Sequence, residues 1–383
     1  MIAPLDSRHL PTGIRARFIE GVNGLRLHIL EAGHETKGRP LLLLLHGFPE
    51  LAYSWRKVMA PLAAAGFHVI APDQRGYGRT TGWSDAYDQD LRPFQMLSLA
   101  RDALALTFAL GYRQCAAVVG HDFGAAVASW CALARPDVFQ RCCIMSAPFS
   151  GPPNLPFGTA EGAAHAPEPS RAGDDIDTAL GRLPRPRKHY QRYYATRPAN
   201  DDMWRCPEGV AVFLRAYFHH KSADWTDNKP YRLKEWSADC LAEMPTYYVM
   251  ERDQTMAETV RPHMPSAIEI ARNRWMTAEE MQVFGEEYGR TGFQGGLNWY
   301  RARYEPHLNA ELSFFSGKAI DVPSMFVAGR SDWGIYQVPG ALEAMQSKAF
   351  SRMQDVHQVD GAGHWVQQEQ PEAVAALLRD FLK

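Results

Sequence analysis

Apolar and polar positions fall into two rhythms along this chain. Leu41 to Leu45 is an unbroken run of five leucines that ends at His46-Gly47-Phe48-Pro49. A short apolar run stopped by Gly and Pro predicts a strand buried on both faces of a parallel sheet. Leu25 to Ile29 alternates instead, the pattern of a half-exposed strand. Further runs predict strands at 67–71, 115–119, 141–145, 322–328 and 355–359, and helices at 55–65, 97–110 and 371–382. Gly- and Pro-rich turns separate them, as in Pro72-Asp73-Gln74-Arg75-Gly76-Tyr77-Gly78.

Strand, helix, strand, helix is the order of a doubly wound, mostly parallel α/β sheet. The rhythm breaks after residue 148 and resumes at 322, with helical patterns such as 210–218 and 277–288 between. The expected organisation is a core in two parts, 1–148 and 322–383, with a mainly helical cap or lid at 149–321 inserted after the sixth core strand. The stretch 151–175, rich in Pro, Gly and Ala, reads as an irregular connection. No internal repeat is visible.

Composition narrows the function classes. The 383 residues are 46% hydrophobic and 22% charged, with a formal net charge of −2, so no basic face points to nucleic acid. Cys115, Cys131, Cys142, Cys143, Cys206 and Cys240 form neither a Cys-x-x-Cys pair nor a zinc spacing. They read as packed thiols of a reducing compartment. The first residues lack the build of a signal peptide, and no apolar run reaches membrane-spanning length, so a cytoplasmic setting is expected.

The chemistry centres on Gly120-His121-Asp122-Phe123-Gly124, which has the spacing of the Gly-x-Ser-x-Gly nucleophile turn with a carboxylate in the central place. It lies between a predicted strand and a small-residue helix, so Asp122 is either a nucleophile or an ordinary helix cap. In parallel sheets ligands bind beyond the carboxyl ends of the strands. Three more turns fall there: His46-Gly47-Phe48-Pro49, Gly329-Arg330-Ser331-Asp332 and Gly361-Ala362-Gly363-His364-Trp365. Asp122, then Asp332, then His364 is the chain order of nucleophile, acid and base in α/β-hydrolases. The alternative turn for the acid, Ser146-Ala147-Pro148-Phe149-Ser150, holds no carboxylate.

These segments resemble the epoxide hydrolases of the α/β-hydrolase superfamily. The resemblance rests on His46-Gly47-Phe48-Pro49-Glu50 with Tyr53-Ser54-Trp55-Arg56 behind it, on Asp73-Gln74-Arg75-Gly76-Tyr77-Gly78, and on the Asp122 and His364 turns. It implies two cap tyrosines above the nucleophile. The segment 292–301 is similar to the family's second one and points to Tyr300; His189-Tyr190-Gln191-Arg192-Tyr193-Tyr194 is similar to the first and points to Tyr190, with Tyr193 and Tyr194 as neighbours in the same register. The resemblance further implies backbone oxyanion donors at Phe48 and Phe123 and a pocket drawing on His46, Pro49, Trp55, Trp299 and Trp365.

The implied reaction is hydrolysis of an epoxide to a vicinal diol through an Asp122 ester. It uses water and a small-molecule epoxide, with no metal, cofactor, nucleic acid or membrane; homo-oligomerisation stays open. A carboxylate is ionised at neutral pH and needs no base to attack, while a phenol stays protonated and can donate to the oxygen that ring opening releases. A dehalogenase using the same Asp is the nearest alternative, disfavoured because Phe123 carries no side-chain N–H for a halide. A non-catalytic small-ligand binder on the same scaffold is the other.

Overall fold

The computed structural model describes residues 2–155 and 172–383. Ten strands appear: β1 Ile14–Val22, β2 Leu25–Ala32, β3 Leu41–Leu45, β4 His68–Pro72, β5 Ala117–His121, β6 Cys142–Met145, β7 Arg187–His189, β8 Val249–Glu251, β9 Ser324–Gly329 and β10 Met353–Val359. Eight form one sheet in the order β1-β2-β4-β3-β5-β6-β9-β10. The pairs β1/β2 and β2/β4 are antiparallel, and every pair from β4 to β10 is parallel.

The five leucines of β3 and all of β5, β6 and β9 are buried, as strands covered by helices on both faces must be. From β3 the chain steps to β4 on one side and then to β5 on the other. That reversal sets the crevice beyond the ends of β3 and β5 as the place for a ligand. β3 and β5 pair directly, Leu45 opposite Gly120, so the loop after β3 and the turn after β5 open side by side.

The break in rhythm after residue 148 is an insertion between β6 and β9. Its longer helices are Val210–Lys221, Ala278–Thr291 and Gln294–Arg303. It also holds an antiparallel ribbon of β7 and β8, three residues each, which no alternating pattern announces. The edge strand β1 was likewise absent from the sequence expectations. Of the stretch 151–175, residues 156–171 lie outside the described residues, and a helix, Ala172–Gly181, already occupies the end expected to be irregular. All six cysteines are free thiols, five of them buried. Among the described residues no helix is long and apolar enough to cross a membrane, and no group of three or more metal-ligating side chains forms.

Candidate active site

Asp122 sits where β5 turns into the helix Phe123–Ala134, with φ 52° and ψ −119°. A non-Gly residue held there costs on the order of 1–3 kcal/mol and marks a functional turn. Its side chain makes no cap bond to the helix, which removes the helix-cap reading. The turn is possible because Gly124 has no side chain: a Cβ there would lie 2.3 Å from the Leu45 carbonyl oxygen. The carboxylate is 8% exposed and faces a cavity of about 340 Å³.

The Phe48 backbone N–H donates to Asp122 Oδ1 at 3.0 Å. Phe123 opens the following helix, where a first-turn N–H has no acceptor inside the helix. Glu50 braces the Phe48 loop from below. It accepts from Gly47 N at 3.0 Å, sits 2.5 Å from His121 Nδ1, and accepts from Gln367 Nε2 at 2.8 Å. Burial alone would lower the His121 imidazole, but the charge and hydrogen bond of Glu50 push it above its ordinary value.

His364 and Asp332 are each 1% exposed. His364 Nδ1 lies 3.1 Å from Asp332 Oδ1, which also accepts from Gly334 N at 2.7 Å. The other imidazole nitrogen, Nε2, lies 3.5 Å from Asp122 Oδ2 and has no hydrogen-bond partner. Asp332 therefore holds the Nδ1 side of the ring and leaves Nε2 directed at the Asp122 carboxyl. Burial pushes both carboxyls up, yet both end below the usual range. For Asp122 the contact and charge of His364 outweigh burial, helped by Lys221 and His121; for Asp332 His364 does the same.

The insertion supplies the cavity roof. Tyr300 lies on the helix Gln294–Arg303, which is locked to the core at two points. Trp299 Nε1 donates to the Arg75 carbonyl at 2.9 Å, and Gly295 presses so close to Gly76 that a Cβ would lie 1.9 Å from its carbonyl oxygen. Tyr190 begins the short helix Tyr190–Tyr194 directly after β7, and its N–H donates to the Tyr248 carbonyl at 2.9 Å.

Tyr190 and Tyr300 both line the cavity with Asp122, their ring centroids 6.1 Å apart. The Tyr190 hydroxyl donates to Gln337 Oε1 at 3.2 Å and accepts from Gln191 Nε2 at 3.0 Å; the Tyr300 hydroxyl has no partner among the described residues. Tyr193 bonds Asp202 and Tyr194 bonds Tyr217, and neither lines the cavity. Burial, reinforced by the Asp122 charge, pushes both lining phenols well above their ordinary value, so they stay protonated.

The chain resembles known proteins along most of its length. Residues 40–269 match the model of the alpha/beta hydrolase fold family. The chain is 30% identical over 368 residues to epoxide hydrolase A of Mycobacterium tuberculosis, covering 94% of this chain and 95% of that one. It is 30% identical over 361 residues to an epoxide hydrolase of Caballeronia sordidicola, covering 94% and 92%. Among solved structures, an epoxide hydrolase from an endophytic Streptomyces superposes with a TM-score of 0.76 at 28% identity, covering 97% of this chain and 96% of that one. This chain belongs to the epoxide hydrolases.

In this epoxide hydrolase the cavity gathers Asp122, Phe123, Tyr190, Trp299 and Tyr300, while Phe48 and His364 reach Asp122 from behind it and Asp332 reaches His364. Four residues expected in the pocket do not line it. The His46 ring packs on Tyr77 and accepts from Gln74 N at 3.1 Å; Pro49, after a cis peptide bond, is buried in the loop. Trp55 is fully buried in the core, and Trp365 stacks on Phe218 with centroids 4.2 Å apart. Each stabilises the wall behind the cavity. Adjacency to a catalytic motif gave no information on which way these side chains turn.

The sequence passed over Lys221 and Gln337 entirely, and gave Gln191 no role although it stands in the segment quoted for Tyr190. Glu50 and His121 stood inside quoted motifs, but nothing in one dimension showed that they pair.

Proposed function

We propose that this epoxide hydrolase opens its substrate by attack of Asp122 on a ring carbon, forming a covalent alkyl ester that water then hydrolyses to a vicinal diol. The observation that carries this reading is the Asp122 carboxylate itself: held on a strained turn, uninvolved in capping, and facing two protonated cap phenols across one cavity.

In the first step an Asp122 oxygen bonds to the ring carbon and the carbon–oxygen bond of the epoxide breaks. The electron pair moves to the ring oxygen, which takes hydrogen bonds from Tyr190 and Tyr300 and then a proton from one of them, leaving that residue as a tyrosinate. Gln337 and Gln191 orient the Tyr190 hydroxyl, while that of Tyr300 is left for the ligand.

In the second step His364 Nε2 takes a proton from water, whose oxygen adds to the carboxyl carbon of Asp122. Asp332 balances the imidazolium that forms. The oxyanion is held by the Phe48 N–H, already 3.0 Å from Oδ1, and by the N–H of Phe123; losing such a donor costs about 3–4 kcal/mol in comparable sites. Collapse breaks the ester bond: the His364 proton goes to the departing diol oxygen, the second water proton restores the tyrosine, and Asp122 returns as a carboxylate carrying one water oxygen while the diol carries one former Asp122 oxygen.

Oxygen isotopes test this. A single turnover in ¹⁸O-water is expected to leave the label in Asp122 and yield unlabelled diol. Label found directly in the diol would mean that water attacked the ring.

A further inference from the structure

One buried cation has no place in the steps above. Lys221 ends the cap helix Val210–Lys221 and is 2% exposed. No carboxylate comes within ion-pair distance of its ammonium among the described residues. Four rings surround it instead: Tyr248 at 4.9 Å from Nζ to the centroid, Tyr217 and Trp365 at 5.4 Å each, and Tyr247 at 5.6 Å. Ring faces attract a cation at these distances but do not neutralise it, and a sheath of them keeps out the water that would screen it.

The backbone that carries this charge is joined to the base, and one ring of its sheath adjoins the base. The Lys221 carbonyl accepts from the His364 N–H at 2.9 Å, and Trp365, one wall of the sheath, follows His364 directly. Burial lowers the Lys221 ammonium from its ordinary value, and the charges of Asp122, Asp332 and Glu50 work against that, so the lysine and these three carboxylates share one field. Since His364 lies between the first two, at 3.5 and 3.1 Å, it stands in the same field.

We propose that Lys221 is a positioning residue for ester hydrolysis: its sheathed, unpaired ammonium keeps His364 unprotonated once Asp122 is esterified and places a positive charge beside the oxyanion that forms on Asp122. The inference rests on the covalent reading above. In the free enzyme the Asp122 carboxylate offsets Lys221. Alkylation turns that carboxylate into a neutral ester, and the same lysine then repels a proton on His364 at the moment His364 must accept one. Glu369 accepts from the N–H groups of Gly363 and Trp365 on either side of His364 and is pushed up by burial to about 8, so it titrates alike in wild type and variants and the comparison is read on the acid limb, below it. The remaining groups facing His364 keep their roles across this change. Asp332 stays ionised, and His121, ring centroid 5.0 Å away, stays paired with Glu50. The Tyr217, Tyr247 and Tyr248 phenols, raised by burial, stay neutral through the working range, as does His220, lowered by burial beside Lys221.

The test follows the alkyl-enzyme by rapid quench and intact-protein mass spectrometry, measuring its decay from about pH 5 to pH 9. Wild-type decay should rise with pH through one midpoint. Lys221→Met should move that midpoint up by about one unit, slowing decay about tenfold on the acid limb, whereas Lys221→Arg should keep it near the wild-type value. A wild-type midpoint in a folded Lys221→Met enzyme overturns the proposal. Should that variant not fold, Tyr248→Leu opens the sheath to water while retaining the lysine. An upward midpoint supports the proposal there, and an unmoved one overturns it. Absence of any adduct on wild-type Asp122 would instead sink the covalent reading, so the two failures are distinguishable.

Discussion

Replacing Tyr300 by Phe takes one oxygen out of the cavity and leaves the ring where it is. The ring is clamped edge-on by Phe123, Tyr194 and Phe48, with centroids 5.0, 5.1 and 5.5 Å away. Its hydroxyl has no partner among the described residues, so its removal orphans none of them, and folding stability should stay within about 0.5 kcal/mol of wild type. Tyr190→Phe differs: it strips Gln337 and Gln191 of their shared partner and should cost about 1 kcal/mol. For the chemistry, a positioned acid is worth roughly 10²–10⁴-fold. Divided between two phenols, each single Phe substitution should slow alkylation by about 10- to 100-fold, or about 1.4–2.7 kcal/mol of barrier. The pair removed together should forfeit the whole factor. Rapid-quench mass spectrometry reads adduct formation, and thermal melting of the same samples reads the fold. A Tyr300→Phe enzyme that melts normally and alkylates at the wild-type rate would refute the assignment. So would a loss confined to ester decay, because the phenols act on the oxygen released in the first step.

Two further outcomes follow from the same geometry. His364→Gln should let Asp122 attack but leave the ester without its base, so an adduct of protein plus intact substrate should accumulate; its absence with an accepted epoxide would contradict the roles given to His364 and Asp122. Acid stability should depend on Asp73, which lies 2.8 Å from His28 Nδ1 and accepts from Ala52 N and Arg79 N. Burial raises its carboxyl, but His28 and the backbone donors bring it down from 3.8 to about 2. A depressed folded value means stability, about 2 kcal/mol, that is present above pH 4 and lost as pH falls toward 2. Asp73→Asn should lower the neutral plateau and flatten that acid slope in melting curves; an unchanged slope would remove Asp73 from the account.

The sequence alone carried the sheet from β2 onward and pointed to the candidate reacting groups, because both are written in local patterns. Leu41 to Leu45, short and stopped by Gly and Pro, suits a strand buried on both faces and is one, and the turns holding Asp122, Asp332 and His364 follow strands in the order of an α/β-hydrolase. The ribbon of β7 and β8 escaped notice because three residues per strand leave no room for a period to show. Tertiary structure decided what depends on distance and direction. It showed that Asp122 does not cap its helix, and that Tyr190 rather than Tyr193 or Tyr194 faces the cavity. It turned Trp55 and Trp365 into the core, since a large ring beside a catalytic turn is drawn to whichever side offers more apolar contact. It alone brought Lys221 beneath His364, separated by 143 positions in the chain and joined by one backbone hydrogen bond. A charge acts through space, and no run of neighbouring letters records which carboxylates will stand within its reach.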